Sequence, residues 1–140
     1  MRACSVLALW LLVLCVAAGC GGSSRLSASS LAKRAEAVQS LAAEGALLAG
    51  DSAAGRTIGV YRREHASELS STASRAASSL ASASTTSALE PRLVRLRELA
   101  RHVASGLHRL ADASTTESRV LAHELQAAAD ASAKLGHGLA

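Results

Sequence analysis

Between Ala88 and Asp112 an apolar residue recurs at alternating steps of four and three: Leu89, Leu93, Leu96, Ala100, Val103, Leu107 and Leu110. That spacing gathers all of them on one face of an α-helix, whose period is about 3.6 residues. Leu99 and Val94 widen the stripe toward two neighbours, as a helix inside a bundle requires. Ser87-Ala88-Leu89-Glu90 has the letters of a capping box, while Pro91 prefers the first helical position and would make Glu90 the cap instead. The start of this helix is therefore open over about three residues.

Three further segments carry weaker versions of the same signal. From about Ser29 to Ala49, Leu31, Ala35, Val38, Leu41 or Ala42, Gly45 and Leu48 form a stripe, with Ser29 or Ser30 placed to cap it and Gly50-Asp51 to end it. From about Ser52 to Ser84 the stripe reads Ala54, Ile58, Tyr61, His65, Leu69, Ala73, Ala76 and Leu80. Gly55 and Gly59 weaken its start by about 1 kcal/mol each relative to Ala. Its second half is nearly all Ser, Ala and Thr, so it is expected to pack least tightly. The last segment opens on a cleaner capping box, Ser114-Thr115-Thr116-Glu117, and continues with Leu121, Leu125, Ala128, Ser132 and Leu135. Asp130 and Lys134 are spaced for a favourable i,i+4 pair, and Gly136 and Gly138 stop the helix.

Short connections force successive helices to run antiparallel. The fold class expected is all-α, an up-down-up-down four-helix bundle over residues 29–140, with a three-helix core and a loosely attached second helix as the alternative. Buried leucines contribute ~1.5–3 kcal/mol each and alanines much less, so the third helix should dominate stability.

The N-terminus has a different character. Ser5 to Gly19 are almost wholly apolar, Arg2 precedes them, and Ala17-Ala18-Gly19 are small. Those are the three parts of a secretory signal peptide, and the run is shorter than the roughly 20 residues a membrane-spanning helix needs. Val16-Ala17-Ala18-Gly19-Cys20 resembles the lipobox of bacterial lipoproteins, with Ala17 where leucine is commonest. The resemblance implies cleavage by signal peptidase II before Cys20 and a diacylglyceryl thioether, with further acylation, on that residue. Residues 1–19 would then be the signal peptide, and residues 20–28 the lipidated cysteine and a flexible Gly/Ser tether. The protein would sit on the extracytoplasmic face of the cell membrane, held through the lipid on Cys20. Two acyl chains on one residue make a stable anchor where one does not. Cys4 and Cys15 leave with the signal, so the mature chain has no disulfide. Its Ala- and Arg-rich composition looks like that of small helical lipoproteins of high-GC bacteria such as actinobacteria.

Removing 19 of the 140 residues leaves 121, enough for one domain, with Tyr61 as the sole aromatic side chain. Without aromatic faces, neither a single-stranded nucleic-acid platform nor the usual small-molecule pocket can be built. No nucleic acid is expected as a partner. The formal charge of +4 falls to +3 when Arg2 leaves, and the arginines concentrate on the third segment. They read as a solvated face or as a surface for anionic lipid or an acidic partner.

Candidates for chemistry are few. No Glu-x-x-His pair of the di-iron bundles occurs, although Glu36, His65, His102 and His123 fall at similar heights in an up-down arrangement. His102 and His123 flank core positions and are expected to face outward, so no metal and no cofactor is expected. Ser30-Leu31-Ala32-Lys33 matches Ser-x-x-Lys by letters alone, without its companion motifs. Tyr61 and His65, one turn apart, are the polar pair expected to be buried, with a small polar pocket for an anionic ligand near Arg62 and Arg63 as their functional version. No enzymatic activity is expected. The reading is a membrane-anchored envelope lipoprotein acting as a helical interaction or scaffold module with an envelope protein partner. The alternative is a binding protein for a small or lipidic ligand in the bundle core.

Overall fold

A computed structural model describes residues 25–139. The signal peptide and Cys20 lie outside the described residues. The elements are β1 (Arg25–Leu26), α1 (Ala28–Ala53), α2 (Gly59–Ala81), β2 (Ser84–Thr85), α3 (Glu90–Leu110) and α4 (Thr115–His137). They form an all-α, up-down-up-down bundle with one short pair of strands at its base.

The helix boundaries follow local chemistry, in places differently from the sequence expectation. α1 is capped by Ser27, whose hydroxyl accepts the Ser30 N–H at 3.2 Å, rather than by Ser29 or Ser30. It also runs through Gly50-Asp51, because Leu48, Ala49 and Ser52 keep its stripe buried to the end. The break comes at Gly55, whose φ of +69° suits only glycine well. α3 is capped by neither Ser87 nor Glu90: a turn ending at Leu89 leads in, and the N–H groups of Leu89 and Glu90 both donate to the Thr86 carbonyl. α4 begins as expected, with Ser114 accepting the Glu117 N–H at 3.2 Å. Asp130, however, accepts from Gln126 Nε2 at 3.0 Å and makes no pair with Lys134. The helix continues past Gly136 to His137.

β1 pairs in parallel with β2, Arg25 opposite Ser84 and Leu26 opposite Thr85, and the Thr85 hydroxyl donates to the Leu26 carbonyl at 2.8 Å. Leu26 is buried and closes the base of the core. Among the described residues, Arg25–Leu26 and the Ser27 cap join the bundle ahead of residue 29.

α1 packs most extensively on α4, and α2 on α3. Small residues permit both close pairings. Along α1 and α4, Ala35 meets Gly136, Gly45 meets Leu125 and Ser52 meets Ser118, a steady antiparallel register. Leucines then fill the space between the two pairs: Leu31, Leu93, Leu96, Leu107, Leu121 and Leu125 are all fully buried. The expected stripe of α3 is buried from Leu93 onward, with Leu89 half-buried and Val94 exposed rather than packed.

The second helix departs most from expectation. Its buried face is Ala66, Leu69, Ser70, Ala73 and Leu80, so the N-terminal half is rotated by one residue from the predicted stripe. Ala66 lies inside where His65 was expected, because a small side chain lets α2 approach α3. The Ser/Ala-rich half is packed on α3, so the three-helix alternative does not hold.

Candidate functional site

Tyr61 and His65 do come together, on the first two turns of α2. Their rings stack with centroids 5.5 Å apart at 25°. The expectation that they form a buried pair is overturned: Tyr61 is 54% exposed, together with its neighbours Ile58 and Val60 at 75% and 61%. The first turn of α2 stands beside the last turn of α1, which Arg62 reaches at Ser52, with Ile58, Val60 and Tyr61 turned to solvent. His65 is partly covered and bridges helices, with Nε2 3.0 Å from Glu44 Oε1 on α1 and Nδ1 4.0 Å from Glu68 Oε2. The two ring nitrogens thus face different carboxylates, an interhelical tie rather than a converging ligand set.

Among the described residues, the two arginines beside this pair do not converge on a pocket for an anion. Arg62 turns inward and donates to Ser52 Oγ at 3.0 Å, and Ser118 donates to the same oxygen at 3.5 Å. Arg63 lies 3.4 Å from Asp112. Glu36, His102 and His123 are exposed, and among the described residues no three His, Cys, Asp or Glu side chains are grouped as metal ligands. The Ser30 hydroxyl accepts from Ser27 within the α1 cap while Lys33 is exposed, so the Ser-x-x-Lys letters build no nucleophile pair.

The arginines of α3 are not a uniform solvated face. Arg97 is the least exposed of them and reaches across to α2, donating from Nε to the Leu80 carbonyl at 2.9 Å and from Nη2 to the Ala83 carbonyl at 2.6 Å. The Leu80 carbonyl, which also accepts the Ala83 N–H at 3.2 Å, belongs to the last turn of α2 and Ala83 lies just beyond it, so Arg97 brings its charge to the C-terminal end of that helix. Arg92 donates to the Gly138 carbonyl, Arg95 pairs with Glu98 at 3.4 Å and Arg109 with Glu124 at 2.7 Å. Sequence spacing marks these arginines as basic but carries no sign of their partners on other helices.

A trough of about 400 Å³ lies between α3 and α4. Leu99, Ala127 and Ala128 floor it, and Arg95, His102 and Glu124 stand at its rim. It opens to solvent, whereas the core beneath is filled by fully buried leucines. No described helix is long and apolar enough to cross a membrane. No family model, no curated protein and no solved structure matches the chain.

Proposed function

We propose that the chain is a lipid-anchored protein of the cell envelope whose bundle serves as an interaction module on the extracytoplasmic face of the membrane. The lipobox-like run Val16 to Cys20 supports the anchor. The reading assigns a binding role and no catalytic one.

The exposed apolar turn of α2 carries the proposal. Ile58, Val60 and Tyr61 sit at the end of the bundle opposite β1. The interval from Cys20 to Arg25 extends at most about 18 Å, and α1, at 26 residues, is about 39 Å long. A body held at its base would present this turn outward, to a protein partner rather than to its own bilayer. Aromatic and aliphatic anchors of this kind are what interfaces bury at their centre.

Crosslinking in native membranes tests the reading. A partner should be captured by the native chain and lost with Ile58→Ser combined with Tyr61→Ser. Val94→Ser, at an exposed apolar position elsewhere, should retain it. Capture that ignores the α2 substitutions, or no capture at all, would contradict the module.

A further inference from the structure

Charge in this bundle is sorted along its long axis. The base comprises β1, β2 and the helix ends beside them, residues 25–36, 75–96 and 131–139. It holds seven Lys and Arg residues and two acidic residues, Glu36 and Glu90. The waist, residues 37–46, 66–74, 97–103 and 122–130, holds two basic and five acidic residues. The tip, residues 47–65 and 104–121, is nearly balanced, with five basic and four acidic. No face of a single helix shows this pattern, because the four helices contribute to the base from separate stretches of sequence.

Two features make the base a surface rather than a set of internal ion pairs. Arg25, Lys33 and Lys134 are exposed and have no hydrogen-bond or ion-pair partner among the described residues. Arg92 and Arg75 are also exposed, and they donate only to a backbone carbonyl or to hydroxyls, which leaves their charge uncompensated. The acidic waist begins one turn higher, where Glu98 pairs with Arg95 and Asp130 stands four residues before Lys134, so a planar anionic surface at the base would meet a net positive charge.

We infer that the base of the bundle docks on anionic phospholipid headgroups. The inference deepens the lipoprotein reading, on which its place in the cell rests: Cys20 lies five residues before Arg25, so the anchor would deliver this end to the bilayer. The lipid chains would supply the hold and the basic base the orientation, standing the bundle upright with Ile58 and Tyr61 outermost. Each basic residue close to an anionic surface strengthens binding by about fivefold. Nucleic acid is the other common polyanion, but the base has no aromatic side chain for base stacking.

The test uses the mature chain from Cys20, made without lipid and kept reduced, against phosphatidylcholine vesicles with and without phosphatidylglycerol. Sedimentation should show binding only to the anionic vesicles, and loss of it when salt shortens the Debye length from about 10 Å to about 3 Å. Joint Arg25→Glu, Lys33→Glu and Lys134→Glu should lower vesicle affinity by about a hundredfold. Arg63→Glu, Arg101→Glu and Arg119→Glu together should lower it far less. Helical circular dichroism checks folding, and Gln replacements at the same base positions give a milder series. Equal binding to neutral vesicles, no binding, equal losses from the two triple variants, or tighter capture by duplex DNA would each overturn the inference. None of those outcomes bears on whether Cys20 is lipidated, which a mass measurement decides separately.

Discussion

Gly45 of α1 lies so close to Leu107 of α3 that a β-carbon on the glycine would overlap the Leu107 Cδ2 atom. The same added carbon would stand 3.1 Å from Leu125 Cδ1 on α4. Both leucines are fully buried. Three helices meet here, and the missing side chain lets the leucines of two of them fill the centre.

Replacing Gly45 with Val should therefore destabilise the bundle by about 1–3 kcal/mol through overpacking. Gly50, five residues along the same helix, has nothing within 4 Å of its notional β-carbon. Gly50→Ala should stabilise by up to about 1 kcal/mol, since alanine is the better helix former. Urea unfolding of the two variants should give shifts of opposite sign, and shifts of the same sign would contradict the packing described.

Arg97 ties the end of α2 to α3 by donating to two backbone carbonyls. Arg97→Ala should cost about 1.5–3 kcal/mol, the usual range for hydrogen bonds to a charged group. Arg97→Lys should recover only part of this, because an ammonium lacks the planar fork that reaches both oxygens. Full recovery with lysine in a thermal melt would show that charge alone matters there.

Ser132 is fully buried on α4, and its hydroxyl has no hydrogen-bond partner among the described residues. Removing an unsatisfied buried hydroxyl avoids a desolvation penalty of about 1–3 kcal/mol. Ser132→Ala should thus leave stability unchanged or raise it, whereas Ser118→Ala, which removes a contact to Ser52, should gain less. A marked loss at Ser132, read by denaturant midpoint, would mean that the hydroxyl is bonded.

Leu96 is fully buried at the middle of α3. Leu96→Asp would place an unpaired carboxylate in that core and should abolish the cooperative helical melt. An unchanged melting curve by circular dichroism would count against the bundle.

The regular stripe of α3 was legible in the sequence because leucine at steps of three and four leaves one reading. So were the all-α bundle, its antiparallel order and the Ser114 cap. α2 was misread by one residue at Tyr61 and His65, since in an Ala/Ser background large side chains looked like the core. In fact the small ones, Ala66 and Ser70, are inside so that α2 can lie close to α3. Long-range partners such as Arg97 with Leu80 left no trace in local spacing. The charge sorting was invisible for the same reason, as it exists only once the chain has folded back three times.

The most direct measurement of the account is the intact mass and N-terminal peptide of the protein isolated from its native membrane. The account predicts a chain that begins at Cys20, with a diacylglyceryl group on its sulfur and further acylation permitted on its amino group. A chain that begins at another residue, or an unmodified Cys20 thiol, would contradict the anchored placement and the interaction role built on it.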